Sequence, residues 1–360
     1  MKQIYTVVAA LLLYANASAQ IPAGYYTPAQ GLTGLPLRTA LHNIIKGHTV
    51  ISYSGLWSKF STTDKLLVSG SPKVWDIYSY NALTPASTAY YYSFSTDQCG
   101  SYAVEGDCYN REHSWPQSWF NQVSGPVSDL FHIYPTDGKV NGIRSNYPYG
   151  FVSATTTTTT NGSKLGTGVD NAGYGGVVFE PVDEYKGDLA RTYFYMTTRY
   201  YTEDAGWNTS GATTLCEINQ WELSVLMTWH RQDPVSTKEV DRNNAIYGIQ
   251  NNRNPFIDHP EYADSIWANV PLIVTNLANT QVQATKAVAY PNPTNNTLTI
   301  DNLTSNSTLQ LYNAQGQMVY TNFVANTTNA TINMQAFNAG LYVARITNIN
   351  GTQLLHVVKE

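Results

Sequence analysis

The densest group of chemically reactive side chains lies in three short segments: NREHSWP at residues 110–116, DLFHIYP at residues 129–135 and GKVNGIRSNY at residues 138–147. In the first segment a carboxylate, Glu112, stands directly before an imidazole, His113. The other two segments add a second histidine, two amides and two basic side chains. These segments are therefore the first candidate for a catalytic site.

Hydrolysis of a phosphodiester suits these residues. Histidine titrates near neutral pH, so His113 can act as the general base that takes a proton from water. A cation must neutralise the negative charge that builds on the reacting phosphate, and the oxygen donors Glu112 and Asn141 favour the hard ion Mg²⁺. With two protein ligands the ion keeps bound water, as Mg²⁺ prefers. These residue types are therefore the ones that metal-assisted hydrolysis of a phosphodiester needs.

Strand geometry limits this arrangement. Neighbouring residues on a regular strand point to opposite faces, so Glu112 and His113 serve one site only if the strand ends beside them. Pro116 favours such an end, because proline cannot donate to a ladder and restricts the residue before it. Alternatively, Glu112 and His113 are an exposed polar pair at a strand end, and Asn141 before Gly142 is a turn residue.

The three segments resemble the endonuclease I family of His-Me finger nucleases. Residues 110–116 are similar to its EHxxP signature, and residues 129–147 to its DLHNLxP and VNGxRSN segments. GDLARTYFYM at residues 187–196 and NNRNPF at residues 251–256 extend the likeness to roughly residues 100–260. The resemblance implies a ββα-metal hook of two strands and a helix, and cleavage that leaves 5′-phosphate and 3′-hydroxyl ends.

The same resemblance implies roles for individual residues. It makes His113 the general base on the first strand, Glu112 a metal ligand, and Asn141 the ligand on the helix. The segment between His113 and Asp129 is short, and it lacks the arginine- and cysteine-bearing insertion that some members use near the scissile phosphate. Three arginines are candidates for substrate contact instead: Arg144, Arg191 and Arg111. Arg144 could also brace the helix, and Arg191 could be a buried structural arginine.

The first nineteen residues have the pattern of a secretory signal peptide. Lys2 supplies a positive charge, residues 7–13 are apolar, and Ala17-Ser18-Ala19 is a small-x-small cleavage site. No later stretch has the roughly 18 apolar residues of a membrane-spanning helix. We therefore expect a signal peptide at residues 1–19 and a secreted or cell-surface protein with no transmembrane segment.

The predicted mature region before the C-terminal module, residues 20–272, is acidic. It carries 16 Lys and Arg against 23 Asp and Glu. A protein that holds long nucleic acid by charge alone should be basic, so this balance argues against a tight, processive binder. We expect a local positive groove near Arg111, Lys139 and Arg144.

The composition changes near residue 275, where Asn, Thr, Val and Ala become dominant and charges rare. Short alternating apolar runs then predict the strands of a small all-β sandwich. Three motifs resemble the C-terminal sorting domain of the type IX secretion system: YPNP at residues 290–293, YNAQG at residues 312–316 and GLY at residues 340–342. The resemblance covers about residues 286–360, implies contact with that secretion machinery, and leaves residues 273–285 as a linker. A carbohydrate-binding or adhesive sandwich is the alternative.

Three cysteines are present: Cys99, Cys108 and Cys216. An exported location permits disulfides. A possible disulfide joins Cys99 and Cys108 and closes a short loop just before residues 110–116. Cys216 is then left over, either buried or free.

The remaining pattern predicts an α+β fold. Helices are expected at residues 36–46, 188–201 and 221–230, and from a capping box at Ser236 and Glu239 through Tyr247. Strands are expected at residues 74–78 and 90–94, and the threonine run at residues 155–160 is expected to be a surface insertion.

These patterns favour a monomeric, secreted, metal-dependent endonuclease with DNA, and RNA as well, as substrate. Little sequence preference is expected, since no recognition helix is evident. Two other functions stay open: a metal phosphoesterase acting on small substrates, and an inactive surface adhesin. Release of oligonucleotides from a plasmid would distinguish the endonuclease from the phosphoesterase.

Overall fold

A computed structural model gives the fold, and it describes residues 21–81, 84–168, 173–268, 270, 287–303, 307–314, 317–324, 327–348 and 351–360. The chain divides into two compact units between Thr275 and Asn276. The predicted signal peptide (residues 1–19) and linker (residues 273–285) lie outside the described residues. In the described part of the chain, no helix has the length and apolarity needed to cross a membrane.

The first unit mixes helices with short strands. Its helices are α1 (Gly34–Ile45), α2 (Leu56–Thr63), α3 (Gly138–Arg144), α4 (Lys186–Tyr200), α5 (Gln220–Gln232), α6 (Thr237–Gln250), α7 (Pro255–Asp258) and α8 (Glu261–Ile266). Its strands are β1 (Lys65–Val68), β2 (Ser71–Val74), β3 (Tyr109–His113), β4 (Ile133–Asp137), β5 (Val152–Thr158), β6 (Lys164–Gly168), β7 (Val177–Glu180), β8 (Thr213–Thr214) and β9 (Glu217–Ile218).

The four long helices lie where the sequence predicts them. On α1, Leu37, Leu41 and Ile45 recur every four residues and are fully buried, as expected of an amphipathic helix. The capping box of α6 is present, because Ser236 Oγ accepts from the Glu239 amide and the Glu239 carboxylate accepts from the Ser236 amide.

Helix α4 runs through the middle of the first unit, and all of its residues are buried. It packs against α5, α1 and α7. Because α4 has no solvent-facing side, its polar side chains must find partners inside the protein. Arg191, for example, donates to both carboxylate oxygens of Glu239 on α6.

Strands β3 and β4 pair antiparallel, and α3 follows β4 directly. Asp137 caps α3, because its carboxylate accepts a hydrogen bond of 2.8 Å from the Val140 amide. The helix contacts both strands. Two strands and one helix therefore contain part of each of the three short segments, including Glu112, His113 and Asn141.

Two sequence predictions of strands are wrong. Strand β2 ends at Val74, and neither residues 75–78 nor residues 90–94 form a strand. These runs are apolar because several of their residues are buried in the core, not because they belong to a ladder. The threonine run at residues 155–160 is largely exposed, as expected of a surface segment, but its first part belongs to β5, which pairs with β6.

The second unit is all-β in its described residues. Its strands are β10 (Val288–Tyr290), β11 (Thr297–Asp301), β12 (Ser307–Asn313), β13 (Met318–Val324), β14 (Asn329–Asn333), β15 (Gly340–Asn348) and β16 (Gly351–Lys359). They form one antiparallel sheet in the order β10-β11-β14 and another in the order β13-β12-β15-β16. Both sheets contribute to a single apolar core, for example through Ile300 and Leu311. The α+β fold with an all-β C-terminal region is thus confirmed.

Candidate active site

His113 is the last residue of β3, so the strand ends beside the pair that the sequence singles out. Its imidazole is 5% exposed and lies near the rings of Tyr53, Phe120 and His132. Glu112 is 2% exposed. The alternative of an exposed polar pair is therefore wrong, because both side chains face the interior of the first unit.

Hydrogen bonds define the tautomer of His113. Its Nε2 lies 3.1 Å from the carbonyl oxygen of Val127. A carbonyl oxygen only accepts, so the proton of the neutral imidazole is on Nε2. Its Nδ1 lies 3.0 Å from Nε2 of Gln117, an amide nitrogen that only donates. Nδ1 is therefore the basic nitrogen of His113, and it accepts a hydrogen bond from Gln117.

Burial keeps this imidazole neutral. Removal from water, with a smaller contribution from the neighbouring His132, lowers the pKa of His113 to about 3. A hydrogen bond to the Val127 carbonyl opposes this change. The group is thus in the protonation state that a general base requires at neutral pH.

The Glu112 carboxylate has one oxygen engaged and one free. Oε1 accepts from the Tyr78 hydroxyl at 2.8 Å and lies 3.1 Å from the Arg144 guanidinium. Burial raises the pKa of Glu112, while the charge of Arg144 and the hydrogen bond from Tyr78 lower it. Among the described residues, none donates to Oε2. That oxygen remains available to an outside ligand.

Asn141 lies on α3 with its amide group turned toward β3. Its Nδ2 donates to Asn110 Oδ1 at 2.6 Å and lies 3.4 Å from the Arg111 carbonyl oxygen. Within the described residues, its Oδ1 has no hydrogen-bond partner. Since side chains two apart on a strand share a face, Asn110 and Glu112 are on one face of β3.

A second residue of α3, Arg144, contacts the face of β3 that carries Asn110 and Glu112. Arg144, one turn after Asn141, reaches Glu112, just as Asn141 reaches Asn110. Asn110 therefore belongs to the candidate site, although the sequence prediction gives it no role. Its period-two spacing from Glu112 is the signal that could have found it.

The donor set suits a hard cation. Among the described residues, no three His, Cys, Asp or Glu side chains gather as a metal-ligand cluster. What the site offers is one free carboxylate oxygen on Glu112 and one free amide oxygen on Asn141. Mg²⁺ accepts such a set, because it binds few protein oxygens and retains water in the rest of its shell.

The three arginines proposed for substrate contact differ in position. Arg144 is fully buried, donates to the carbonyl oxygens of His113 and Ser114 and forms an ion pair with Glu112, so it braces the end of β3. Arg191 is fully buried and held by Glu239. A substrate phosphate reaches neither of them in this structure, and the expected positive groove cannot include Arg144.

Arg111 is the arginine of the three that is partly exposed. Its guanidinium lies 3.6 Å from the centre of the Tyr53 ring and 4.5 Å from that of Trp57, and it donates to the Tyr53 carbonyl oxygen. Stacking on two rings fixes the planar group without neutralising its charge. Arg111 can therefore present a positive charge near His113, on the face of β3 opposite to Asn110 and Glu112.

Cys99 and Cys108 form a disulfide with 5.8 Å between their Cα atoms, and Cys216 is buried and free. The bridge ties the loop before β3 to the residue that precedes the strand.

Comparison with known proteins gives two family matches. Residues 33–261 match the family described as Endonuclease I. Residues 288–360 match the secretion system C-terminal sorting domain, the sorting domain of type IX secretion. Both matches agree with the motifs in the sequence.

Three relatives illustrate the first match. An extracellular ribonuclease of Bacillus amyloliquefaciens is 36% identical over 256 residues, which cover 68% of this chain and 78% of the relative. An extracellular ribonuclease of Bacillus subtilis is 36% identical over 259 residues, with the same coverage of 68% and 78%. A periplasmic deoxyribonuclease of Aeromonas hydrophila is 28% identical over 148 residues, covering 41% of this chain and 53% of the relative. The chain belongs to the Endonuclease I family and is a secreted nuclease with a type IX sorting domain.

Proposed function

We propose that the protein is an endonuclease that hydrolyses phosphodiester bonds in both DNA and RNA with little sequence preference. Two of the relatives are named ribonucleases and one a deoxyribonuclease, which supports a substrate range that includes both polymers. The proposal names His113 as the base, Glu112 and Asn141 as ligands of Mg²⁺, and Arg111 as a substrate contact. One chain supplies all four residues, and we propose that it acts as a monomer.

One observation carries the proposal: the Val127 carbonyl fixes the proton of His113 on Nε2 and leaves Nδ1 basic. In the reaction, Nδ1 takes a proton from water while the oxygen of that water bonds to phosphorus. The bond between phosphorus and the 3′-oxygen breaks, and the 3′-oxygen takes a proton from a solvent water. The products have 5′-phosphate and 3′-hydroxyl ends.

Glu112 Oε2 and Asn141 Oδ1 would hold the metal ion. When bound, Mg²⁺ supplies positive charge that stabilises the negative charge developing on the phosphate. The hydrogen bond from Tyr78 to Glu112 Oε1 and the one from Asn141 Nδ2 to Asn110 fix the two side chains that would hold the ion. Strands β3 and β4 with α3 have the order of a His-Me finger, and we propose that they form one.

The test is digestion of a plasmid and of a structured RNA by the full chain, with Mg²⁺ or with EDTA. Degradation of both polymers should require the metal, and His113→Ala should slow it by about 10²–10⁴-fold, the usual contribution of a general base. His259→Ala, at a partly exposed histidine paired with Glu261, is the matched control and should keep wild-type activity.

Other results would favour the other functions. A folded wild-type chain that degrades neither polymer in any divalent metal would support the adhesin. Release of phosphate from mononucleotides without cleavage of the plasmid would support the small-substrate phosphoesterase. Equal activity of His113→Ala and wild type would place the base elsewhere.

A further inference from the structure

A second cavity lies beside the candidate active site. Its volume is about 430 Å³, within the range of about 300–1,000 Å³ that is usual for sites of small ligands. Five residues of its lining matter for its chemistry: Ser118, Asn146, Asn208, Thr209 and Gly211. No role has been given to any of these residues so far.

The position of the cavity connects it to the reaction. Ser118 directly follows Gln117, whose side-chain amide donates a hydrogen bond to the basic nitrogen of His113. Asn146 lies two residues after Arg144, which contacts Glu112. Two separate segments thus pass from the candidate active site into the wall of the cavity.

The chemistry of the lining excludes a phosphate as the preferred ligand. The described residues that line the cavity include no charged side chain, whereas phosphate sites use arginine, lysine or a cation. Amides and hydroxyls both donate and accept, as do the edges of nucleobases. The cavity therefore suits a neutral, flat group with several hydrogen-bonding atoms.

One amide in the wall is fixed and another is free. Asn208 Nδ2 donates to the Ser118 carbonyl oxygen at 2.6 Å and to Asn121 Oδ1 at 2.7 Å, which ties together the two sides of the cavity. Asn146 is exposed, and among the described residues it has no hydrogen-bond partner. None of the described residues therefore competes with a ligand for its carboxamide.

An aromatic pair borders the cavity at Gly211. The rings of Tyr174 and Trp221 stack with centres 4.0 Å apart and planes 4° from parallel. Trp221 Nε1 donates to the Gly211 carbonyl oxygen at 2.8 Å, which places the pair at the cavity rim. Both rings are partly exposed. Such platforms stack bases of single-stranded nucleic acid without strong sequence preference.

We propose that this cavity binds an unpaired nucleobase of the nucleotide next to the scissile phosphate, with Asn146 bonded to the edge of the base. The proposal rests on the proposed nuclease function and specifies the form of the substrate. A base that is already paired cannot enter, so single strands and unpaired ends bind better than duplex does.

The test measures binding without cleavage. The full chain carrying His113→Ala is titrated in EDTA with two fluorescent pentanucleotides of equal length and charge, one with all its bases and one fully abasic. We expect the abasic strand to bind about tenfold more weakly, the effect of losing stacking and edge contacts. Adding Asn146→Ala should reduce this ratio at least threefold, whereas adding Asn43→Ala, at an exposed amide on α1, should leave it unchanged.

Two results would overturn the base site. One is equal affinity for the two strands. The other is a ratio that Asn146→Ala and Asn43→Ala leave equally unchanged. Cleavage of plasmid and of single-stranded RNA by the wild-type chain with Mg²⁺ is measured in parallel. Cleavage of either polymer together with one of these two results refutes the base site and keeps the nuclease function, whereas no cleavage of either polymer refutes the nuclease function.

Discussion

Gln117 donates a hydrogen bond of 3.0 Å from Nε2 to Nδ1 of His113. The lone pair that must receive the proton of the attacking water is thus occupied by a neutral donor in the free protein. Gln117 lies in a short 3-10 turn right after Pro116, and its side chain is partly exposed. It can therefore move away when water and substrate arrive.

This contact predicts different outcomes for two substitutions of Gln117. Gln117→Ala removes the competing donor, so kcat/KM at pH 7 should stay within about fivefold of wild type. Gln117→Glu puts a carboxylate next to Nδ1, which favours the protonated imidazole and should lower kcat/KM by about 10²-fold, much of the contribution of a general base. Rates of cleavage of a fluorescent oligonucleotide measure both. Loss of activity in Gln117→Ala as large as in His113→Ala would show instead that the amide itself is required.

Substitutions of Arg111 and Arg191 should have different effects, the first on substrate binding and the second on stability. Arg111→Ala removes a partly exposed charge, so we expect lower kcat/KM and a slope of log(kcat/KM) against log salt that is smaller by about 0.7–0.9, the value of one phosphate contact. Arg191→Met leaves Glu239 and Asp188 unpaired in the interior, so it should cost about 3–5 kcal/mol of unfolding free energy and leave the salt slope unchanged. Urea unfolding and salt titrations measure the two effects. A changed salt slope in Arg191→Met would show instead that Arg191 contacts the substrate.

The parts of the fold that could be predicted from the sequence are those with local causes. Helices α1, α4, α5 and α6 follow from apolar spacing and a capping box, each of which acts within a few residues. Residues 74–78 could not be predicted, because an apolar run indicates burial and does not reveal whether a neighbouring strand is present. Tyr78, in that run, contacts Glu112 far along the chain.

The candidate site shows the same division. The motif around Glu112 and His113 indicates the chemistry, and Pro116 indicates the strand end that the structure confirms. The burial of Arg144 could not be predicted. It depends on how β3, α3 and α4 pack together, and these elements lie at separate places in the sequence. Gln117 was also missed, because its spacing from His113 would suggest a helix, whereas a 3-10 turn brings the two side chains together.

Arg144 should be essential for the fold because of its partner. Replacing it by Met leaves the buried carboxylate of Glu112 without its counter-charge, which should cost about 3–5 kcal/mol of unfolding free energy. The double variant Arg144→Met/Glu112→Gln removes the uncompensated charge as well, so it should recover about 2 kcal/mol of that loss. Urea denaturation of wild type, both single variants and the double variant gives the coupling. Additive losses would show that Arg144 acts through the His113 and Ser114 carbonyl groups alone.

Glu222 on α5 predicts a pH dependence of stability. It is fully buried, and burial raises its pKa well above the ordinary 4.5, against the opposing effects of the Tyr149 backbone and Arg144. A raised pKa in the folded state means that the native protein keeps a proton that the unfolded chain loses. The resulting stability is complete below about pH 4 and is lost as the pH rises toward the folded pKa.

Glutamine imitates the protonated acid and does not titrate, so Glu222→Gln should remove this loss. The difference in unfolding free energy, Glu222→Gln minus wild type, should increase by about 1.4 kcal/mol for each pH unit between pH 5 and pH 7. Titration of the other buried groups is common to both proteins and cancels in the difference. Glu261→Gln, at an exposed carboxylate on α8, is the matched control and should change stability by less than about 0.5 kcal/mol at either pH. Urea unfolding at the two pH values decides the matter: a difference for Glu222→Gln that does not change with pH would mean that Glu222 is ionised in the folded protein, with Arg144 compensating its charge.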